Sequence, residues 1–471
     1  MDSIKFIEPT FPTPLGQKKT RSSLVHLQHK GEATASWNGT KVDCHKYVTP
    51  ECLRMLYSIP FQGTGRHTNS SLGIFEISAQ TWFPNDLDSF FSRFEPQLIG
   101  SRPTVRSIDG GYMQYNWTGF PFNSEPSLDF EYALALTDRQ PVIELLVGNN
   151  STTSPLGNML AALDASYCNS QAGGDNGTIE CGASAPPSVI SISYGMSEAD
   201  YPAGYLDQQC LEFLKLGLQG VSVVAGSGDW GVADQLSQCI DPATGLPADP
   251  GSGDSSSLWH FSSMFPASCP WVTAVGGTSL AAPLPNMTQP VWNQSAPFFP
   301  PQHAYLVPGD DGDRGNSTSG GGFSNVFAAP DYQTRDAASY LATQRSHIAP
   351  FANSFRADGR GYPDVALLAQ NYLVVYNGGL YTIDGTSAAT PLFASMVARI
   401  NNERQNQGKK TVGFVNPVLY KHREIFDDVT EGANEGCGVE EAFRAAKGWD
   451  AVTGLGAPNF KRLSDVFMGL P

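Results

Sequence analysis

Short apolar runs recur along the chain, and longer segments with a helical period lie between them. The runs are rich in valine and isoleucine, and most lack the apolar–polar alternation of a half-exposed strand. Strands of this kind are typical of a parallel sheet that is covered on both faces. We therefore predict buried strands at residues 72–77, 142–147, 189–194, 221–225, 271–275 and 372–376.

Helical segments alternate with these strands and indicate the fold class. Residues 131–136 and 205–218 are helix-like, and apolar residues recur with a helical period from position 388 to 400. This alternation predicts an α/β sandwich with a mostly parallel sheet. Residues 1–43 are polar and interrupted by prolines, so we interpret them as a linker or tail.

Length and charge exclude several classes of protein. The chain has 471 residues, of which 41% are hydrophobic, so it can form a large core. Its 45 acidic residues outnumber 29 basic ones, and the net charge of −16 disfavours binding to nucleic acid or to anionic lipid. No apolar run approaches the roughly 20 residues that a membrane-spanning helix needs. We expect a soluble protein without nucleic-acid or membrane partners.

Cysteines and glycosylation sequons favour an oxidising compartment. None of the eight cysteines forms a C-x-x-C pair, which favours disulfides over a zinc site. The N-terminus lacks a signal peptide, so we expect a start further upstream, or a processed or truncated chain, and a secreted or acidic vacuolar or lysosomal location. The nine sequons lie at Asn38, Asn69, Asn116, Asn149, Asn150, Asn176, Asn286, Asn293 and Asn316.

Ser387 lies in the segment DGTSAATP, residues 384–391, just before the helical pattern. Unpaired N–H groups at a helix start favour developing negative charge, as a nucleophilic serine requires. Ser387 could instead be an ordinary N-cap. The segment resembles the Gly-Thr-Ser-x-Ala-x-Pro motif of the subtilisin clan, which favours the nucleophile. Subtilisins need a histidine base, however, and none of the eight histidines is followed by glycine; His67 is the nearest candidate and fits a loop residue better.

A carboxylate pair offers a different base. Ser124 is a suitable N-cap and Pro126 suits a first helical turn, so we predict a helix in which Glu125 and Asp129 share one face. Alone, such a pair is usually a solvated face. Combined with the Ser387 segment, it resembles the sedolisins, the serine-carboxyl peptidases that include tripeptidyl-peptidases. The resemblance implies that Glu125 is the base for Ser387 and that Asp129 supports Glu125.

Asp229 completes the implied site. It ends the segment Ser227-Gly228-Asp229 after a predicted strand and could be a simple turn residue. In the sedolisins, a similar segment supplies the aspartate of the oxyanion hole, which can donate a hydrogen bond only when it is protonated. A histidine base would be protonated below about pH 6, whereas a glutamate remains competent there. The resemblance therefore implies an acid-acting peptidase.

The resemblance also implies one calcium ion near the C-terminus. Asp427 is a rival for the first carboxylate, and no EF-hand pattern is present. By the same analogy Cys239 pairs with Cys437, whereas Cys44–Cys52 and Cys168–Cys181 are suggested by proximity alone. The implied ligands are the carboxylates of Asp428 and Asp450 and the carbonyls of Val429, Ala446 and Gly448.

The resemblance covers residues 44–471 and implies a subtilisin-like three-layer sandwich with its calcium loops at the C-terminal end. Residues 1–43 are then a linker or a remnant of the family's pro-segment, which is an expected partner of the enzyme. We expect release of tripeptides from free N-termini of peptides and proteins. The alternatives are an endopeptidase of the same family, a histidine-dependent subtilisin that uses His67, and an inactive secreted glycoprotein of this fold.

Overall fold

A computed structural model describes residues 44, 47–61, 70–148, 154–170, 180–250, 259–280, 302–307 and 317–471. The linker prediction for residues 1–43 and the proposed base His67 lie outside the described residues. So do all the sequons except Asn116, whose side chain is exposed. No helix in the described ranges is long and apolar enough to cross a membrane.

A central eight-stranded sheet organises the chain. Its order is β11-β10-β6-β4-β1-β3-β2, with β16 also paired to β10, and every pair is parallel except β10–β11. The strands are β1 Leu72–Ile77, β2 Thr104–Ile108, β3 Val142–Val147, β4 Val189–Ile192, β5 Met196–Ser197, β6 Ser222–Gly226, β7 Cys239–Ile240, β8 Pro247–Ala248, β9 Met264–Phe265, β10 Thr273–Leu280, β11 Gln302–Ala304, β12 Leu306–Val307, β13 Ser317–Thr318, β14 Gly322–Ala328, β15 Gly359–Tyr362, β16 Val365–Leu368, β17 Tyr372–Tyr376, β18 Gly379–Ile383, β19 Phe426–Asp427 and β20 Ala457–Pro458.

Helices cover both faces of the sheet. On one face α9 packs against β4, β6 and β10, and α3 packs against α9, β1 and β3, while α4 and α6 cover the other face over a second core. This arrangement confirms the three-layer α/β sandwich. The helices are α1 Pro50–Tyr57, α2 Pro84–Phe94, α3 Phe120–Leu136, α4 Pro155–Leu163, α5 Tyr167–Ser170, α6 Ala203–Leu218, α7 Thr334–Thr343, α8 Arg345–Ile348, α9 Thr386–Asn406, α10 Asn416–Lys421 and α11 Phe460–Gly469.

Five of the six predicted strands belong to the central sheet, with small differences at their ends. The run at 372–376 does not: β17 pairs antiparallel with β18 in a separate hairpin. Its backbone is buried by other contacts, because Glu131 accepts a hydrogen bond from Val375 N and Asp86 accepts from the turn residues Asn377 and Gly378. A continuous apolar run therefore indicated burial correctly but did not reveal the strand's partner.

The predicted start of the helix that carries Glu125 is wrong. Helix α3 begins at Phe120 after Gly119, so Pro126 lies inside the helix and Ser124 is not its cap. The Ser124 hydroxyl donates to Phe120 O instead. A second proline, Pro121, occupies the first turn, where a missing N–H costs little.

Four disulfides cross-link the described residues. Cys44–Cys52, Cys168–Cys181 and Cys239–Cys437 confirm the suggested pairs, and the remaining two cysteines form Cys210–Cys269. The Cys239–Cys437 bridge spans 198 residues of sequence and joins the segment after Asp229 to the C-terminal loops. The disulfide pattern agrees with the oxidising compartment that the cysteine count favoured.

A buried ion pair joins three parts of this scaffold. The side chains of Arg360, in β15, and Asp364 form a salt bridge in which both are 0% exposed. Asp364 also accepts hydrogen bonds from Ala274 N in β10 at 2.8 Å and from Tyr420 Oη in α10 at 2.9 Å. Removing one partner would leave the other charge buried without compensation, which costs far more than the pair contributes.

We expect Asp364→Ala to lower the free energy of unfolding by about 3–5 kcal/mol, because the Arg360 guanidinium would remain buried and unpaired. Denaturant unfolding of the variant and the wild type measures this loss. Glu441→Ala is the matched control, because the Arg444–Glu441 pair is 48% and 54% exposed and should change stability little. Equal effects of the two substitutions would contradict the role assigned to the buried pair.

Candidate active site

Ser387 is the second residue of helix α9, which begins at Thr386. The N-cap is Gly385, so the interpretation of Ser387 as a simple cap is wrong. The Ser387 side chain is 5% exposed, and its hydroxyl donates to Ser193 O at 3.4 Å, a long contact. The hydroxyl therefore lies at a helix N-terminus, where free N–H groups favour negative charge.

Glu125 and Asp129 both face the Ser387 region from α3. Both side chains are buried, the Ser387 hydroxyl is close enough to lower the pKa of Glu125, and Glu125 Oε1 accepts no hydrogen bond from the described residues. Ser193 Oγ donates to both Asp129 oxygens, at 2.9 and 3.2 Å. The structure thus brings the two carboxyl groups and the serine together and rejects the solvated-face interpretation of the pair.

Asp229 reaches the same helix start from the loop after β6. Its Oδ1 accepts hydrogen bonds from Thr386 N at 2.7 Å and from Thr386 Oγ1 at 3.0 Å. Its Oδ2 makes no hydrogen bond with the described residues. Gly385 permits this approach, because its φ is +142° and a Cβ at this position would lie 2.9 Å from Asp229 Oδ2. One carboxyl oxygen therefore fixes the helix start, and the other is available to a ligand.

Burial shifts the pKa of each acid upward. Burial and then the Glu125 charge raise the pKa of Asp129, while the hydrogen bond from Ser193 opposes the shift. Burial also raises the pKa of Asp229, although the Thr386 hydrogen bonds lower it. For Glu125, burial and the Asp229 charge raise the pKa, and the Ser387 hydroxyl lowers it. Burial therefore favours the protonated form of all three acids; the pKa of Glu125 is raised to about 8, and Glu125 is the more exposed member of its pair.

A second pair of buried acids lies close to Asp129, and no sequence motif predicted it. Glu76 and Glu144 are on the neighbouring strands β1 and β3, and both are 0% exposed. Tyr194 Oη donates to Glu76 Oε2 at 2.6 Å, and Trp82 Nε1 donates to Glu144 Oε2 at 2.8 Å. Burial and the nearby Asp129 charge raise the pKa of Glu76, to which Glu144 also contributes.

Sequence reasoning also missed Ser193, which links Asp129 to the Ser387 segment. A hydroxyl residue just after a buried strand was the available signal, because side chains that follow parallel strands meet at one edge of the sheet. None of the hydrogen bonds of Ser387, Glu125 and Asp129 in the described ranges involves a histidine. The arrangement can therefore attack a carbonyl with a serine hydroxyl, using a carboxylate as the base and a carboxylic acid as a hydrogen-bond donor.

Hydrogen bonds link the loops that carry the predicted calcium ligands. Asp428 Oδ2 accepts from Gly448 N at 2.9 Å, and Asp450 Oδ2 accepts from Ala446 N at 3.0 Å, so the two carboxylates hold one loop. Thr453 Oγ1 connects Asp450 Oδ2, at 3.0 Å, with Val429 O, at 3.5 Å. The described residues contain no cluster of three or more His, Cys, Asp or Glu that could hold a metal, so carbonyl oxygens would have to complete the set.

Two details of these loops agree with the proposed ligand set. Ala446 does not have a positive φ, so an alanine fits this position without backbone strain and its carbonyl can serve as a ligand. The rival Asp427 is 72% exposed and forms an ion pair with Arg462 at 2.7 Å. Two carboxylates and several carbonyl oxygens are the donors that calcium prefers, so the residues fit the ion.

We expect Glu144→Gln to stabilise the protein at neutral pH and to change it little at pH 4. Burial raises the pKa of Glu144 to about 7, against about 4.3 in an unfolded chain. The folded state therefore holds a proton that the unfolded state loses, and stability decreases by about 4 kcal/mol as the pH rises through this window. The uncharged amide that this substitution introduces would remove the loss and still accept a hydrogen bond from Trp82.

Melting temperatures of the variant and the wild type, measured from pH 4 to pH 8, test this expectation. The difference between them should grow with pH. Glu440→Gln, at an exposed position, is the control and should follow the wild type. A variant that loses stability with pH as steeply as the wild type would contradict the contribution of Glu144.

Comparison with known proteins places this geometry in a family. No model of a known protein family matches the chain. The chain is 40% identical over 449 aligned positions to tripeptidyl-peptidase SED1 of Arthroderma otae, covering 91% of this chain and 65% of that protein. It therefore spans just under two thirds of that relative's length. It is 37% identical over 501 positions to aorsin of Aspergillus oryzae, covering 98% of this chain and 72% of aorsin.

A solved structure has the same fold. Pseudomonas sedolisin, a serine-carboxyl proteinase in complex with two molecules of pseudo-iodotyrostatin, superposes with a TM-score of 0.60. The match covers 91% of this chain and 98% of sedolisin at 22% identity. With this fold and with relatives aligned along more than nine tenths of its length, the chain belongs to the sedolisin family of serine-carboxyl peptidases.

Proposed function

We propose that this chain is an acid-acting serine peptidase that releases tripeptides from free N-termini of peptides and proteins. The proposal rests on one observation: Ser387, the Glu125–Asp129 pair and Asp229 lie close together at the start of α9. The 40% identity to a protein named tripeptidyl-peptidase supports the tripeptide product. The four disulfides and the exposed sequon at Asn116 support a secretory route.

The chemistry follows from the positions of these groups. Ser387 Oγ attacks the carbonyl carbon of the third peptide bond while Glu125 takes the hydroxyl proton. The tetrahedral oxyanion accepts a hydrogen bond from protonated Asp229 Oδ2. When the C–N bond breaks, Glu125 returns the proton to the leaving amine. Water then attacks the acyl-serine with Glu125 again as the base, and Ser387 is regenerated.

The protonation states required by these steps restrict the working pH. The Glu125–Asp129 pair must lose one proton before Glu125 can act as a base, so activity decreases when both carboxyls are protonated. Asp229 must keep its proton, so activity also decreases as the pH rises through the raised pKa of Asp229. Burial of the carboxyl groups influences both limits, and together they give a bell-shaped pH profile.

We expect the wild type to remove tripeptides in succession from one long peptide with a free N-terminus at acid pH. Mass spectrometry of the products measures this directly. The Ser387→Ala variant should lose at least about a thousandfold in kcat, because no acyl-serine can form. Thr390→Ser is a conservative control nearby on α9, since its hydroxyl donates to Thr386 O and not to the reacting groups.

The same peptide with an acetylated N-terminus separates the two peptidase activities. A tripeptidyl-peptidase should leave it intact, whereas an endopeptidase would cleave it internally. Equal rates for wild type and Ser387→Ala, or an optimum at neutral pH, would overturn the proposed function.

We also propose that Asp428, Asp450 and the carbonyls of Val429, Ala446 and Gly448 hold one calcium ion. The ion would neutralise the two carboxylates and stabilise the C-terminal loops. We expect added calcium to raise the melting temperature by several degrees after treatment with a chelator. Asp428→Asn should reduce this response, while Asp427→Asn, at the adjacent exposed residue, should keep it. A melting temperature that does not depend on calcium would contradict the site.

A further inference from the structure

The hydroxyl group of Thr386 lies between the backbone of Gly228 and the carboxyl group of Asp229. Thr386 is the first residue of α9 and is 3% exposed. Its Oγ1 accepts a hydrogen bond from Gly228 N at 3.2 Å and donates one to Asp229 Oδ1 at 3.0 Å. One buried hydroxyl group therefore joins the loop after β6 to the start of α9.

The direction of these two hydrogen bonds follows from the groups that make them. A backbone N–H can only donate, so Thr386 Oγ1 must be the acceptor in its contact with Gly228. A hydroxyl group carries a single hydrogen, and within the described ranges Asp229 Oδ1 is the acceptor that this hydrogen reaches. The hydroxyl hydrogen of Thr386 therefore points at Asp229 Oδ1.

The two oxygens of the Asp229 carboxyl group differ in the donors that they face. Oδ1 accepts from Thr386 N at 2.7 Å as well as from Thr386 Oγ1. Because a carboxyl oxygen has two lone pairs, both lone pairs of Oδ1 are occupied. Oδ2 has no such contact with the described residues, so the carboxyl group of Asp229 carries its proton on Oδ2.

The backbone of Asp229 is held separately from its side chain. Asp229 O accepts hydrogen bonds from Thr318 N at 2.9 Å and from Ser317 Oγ at 3.1 Å, both in β13. A change in the Thr386 side chain leaves these contacts in place. The Thr386 hydroxyl therefore acts on the carboxyl group of Asp229 and not on the course of the loop.

The charged surroundings of Asp229 do not depend on Thr386. Glu125, on α3, is the titratable side chain that faces Asp229, because the Asp229 charge raises its pKa. The C-terminal segment packs on the same loop through its backbone, where Glu435 O accepts from Val232 N at 3.1 Å. The contacts that β13 and the start of α9 make with Asp229 come from N–H and hydroxyl groups. Replacing the Thr386 hydroxyl therefore adds and removes no charge.

We propose that the Thr386 hydroxyl is a positioning group that keeps the proton of Asp229 on Oδ2, the oxygen that donates to the oxyanion. The inference rests on the proposed function and deepens it. As Oδ2 donates in the transition state, negative charge develops on the Asp229 carboxyl group, and the hydrogen bond from Thr386 Oγ1 to Oδ1 becomes stronger. Thr386 thus stabilises the transition state more than the bound substrate, which increases kcat and leaves substrate affinity unchanged.

Thr386→Val tests the inference, because valine keeps the backbone N–H and the branched shape but lacks the hydroxyl. One lone pair of Asp229 Oδ1 becomes free, so the proton is no longer confined to Oδ2. We expect kcat to fall about tenfold, with KM within about twofold of the wild type. The alkaline limb of the pH profile of kcat/KM should move up by about one pH unit, because the lost hydrogen bond favoured ionised Asp229.

Two further variants separate this effect from a general disturbance of the helix start. Thr386→Ser keeps the hydroxyl and should restore kcat and the alkaline limb. Thr390→Val is the matched control, since it makes the same change one turn along α9, where the hydroxyl donates to Thr386 O. It should leave kcat and the alkaline limb as in the wild type. An unchanged kcat in Thr386→Val, a lower kcat with an unshifted alkaline limb, or the same shift in Thr390→Val would overturn the inference.

A titration that needs no catalysis separates the inference from the proposed function. Carbon-13 NMR of Ser387→Ala protein labelled at its aspartate carboxyl groups measures the pKa of Asp229, whose signal is the one lost in Asp229→Asn. We expect added Thr386→Val to raise this pKa by about one pH unit. No rise would overturn the inference, even if the wild type is an active peptidase. A rise, together with a wild type that cleaves no peptide, would support the Thr386–Asp229 contact and overturn the proposed function.

Discussion

Burial of carboxyl groups without a neighbouring cation is the constraint on which the site depends. Glu125, Asp129, Glu76 and Glu144 lie together under α3, and no lysine or arginine in the described ranges forms an ion pair with them. An ionised carboxylate in such a place is costly, and a protonated one is not. The fold is therefore most stable when these groups hold their protons, whereas the proposed reaction needs the Glu125–Asp129 pair to give up one of them.

Helix α9 begins where three distant segments meet, and these segments position the groups of the proposed site. Asp229 from the loop after β6 holds Thr386 N, Ser193 from the loop after β4 contacts Ser387, and α3 packs alongside. Each contact fixes a group to which the proposed reaction assigns proton transfer or the binding of charge. Because the positioning comes from backbone and hydroxyl groups, no titrating side chain outside the acid array is needed to orient the site.

The sequence predicted the groups that lie in recognisable motifs and missed those that depend on register. Ser387 and Asp229 lie in short segments whose pattern is local, and both are found at the start of α9. Glu76 and Glu144 are single acids within apolar strands, and their common face is defined only when β1 pairs with β3. The predicted start of α3 is too late. Ser124 and Pro126 have the residue types that are common at a helix start, but the helix begins after Gly119, with Pro121 in its first turn. The local sequence alone could not decide at which of these two positions the helix begins.

The long-range disulfide gives the molecule a property that neither the sheet nor the site would provide. Cys239, shortly after Asp229, is joined to Cys437, between the loops of Asp428 and Asp450. Any single nick in the backbone between residues 239 and 437 leaves the two fragments covalently connected until the bridge is reduced. The chain can thus be cut once in this part and keep Asp229 and Ser387 in one molecule.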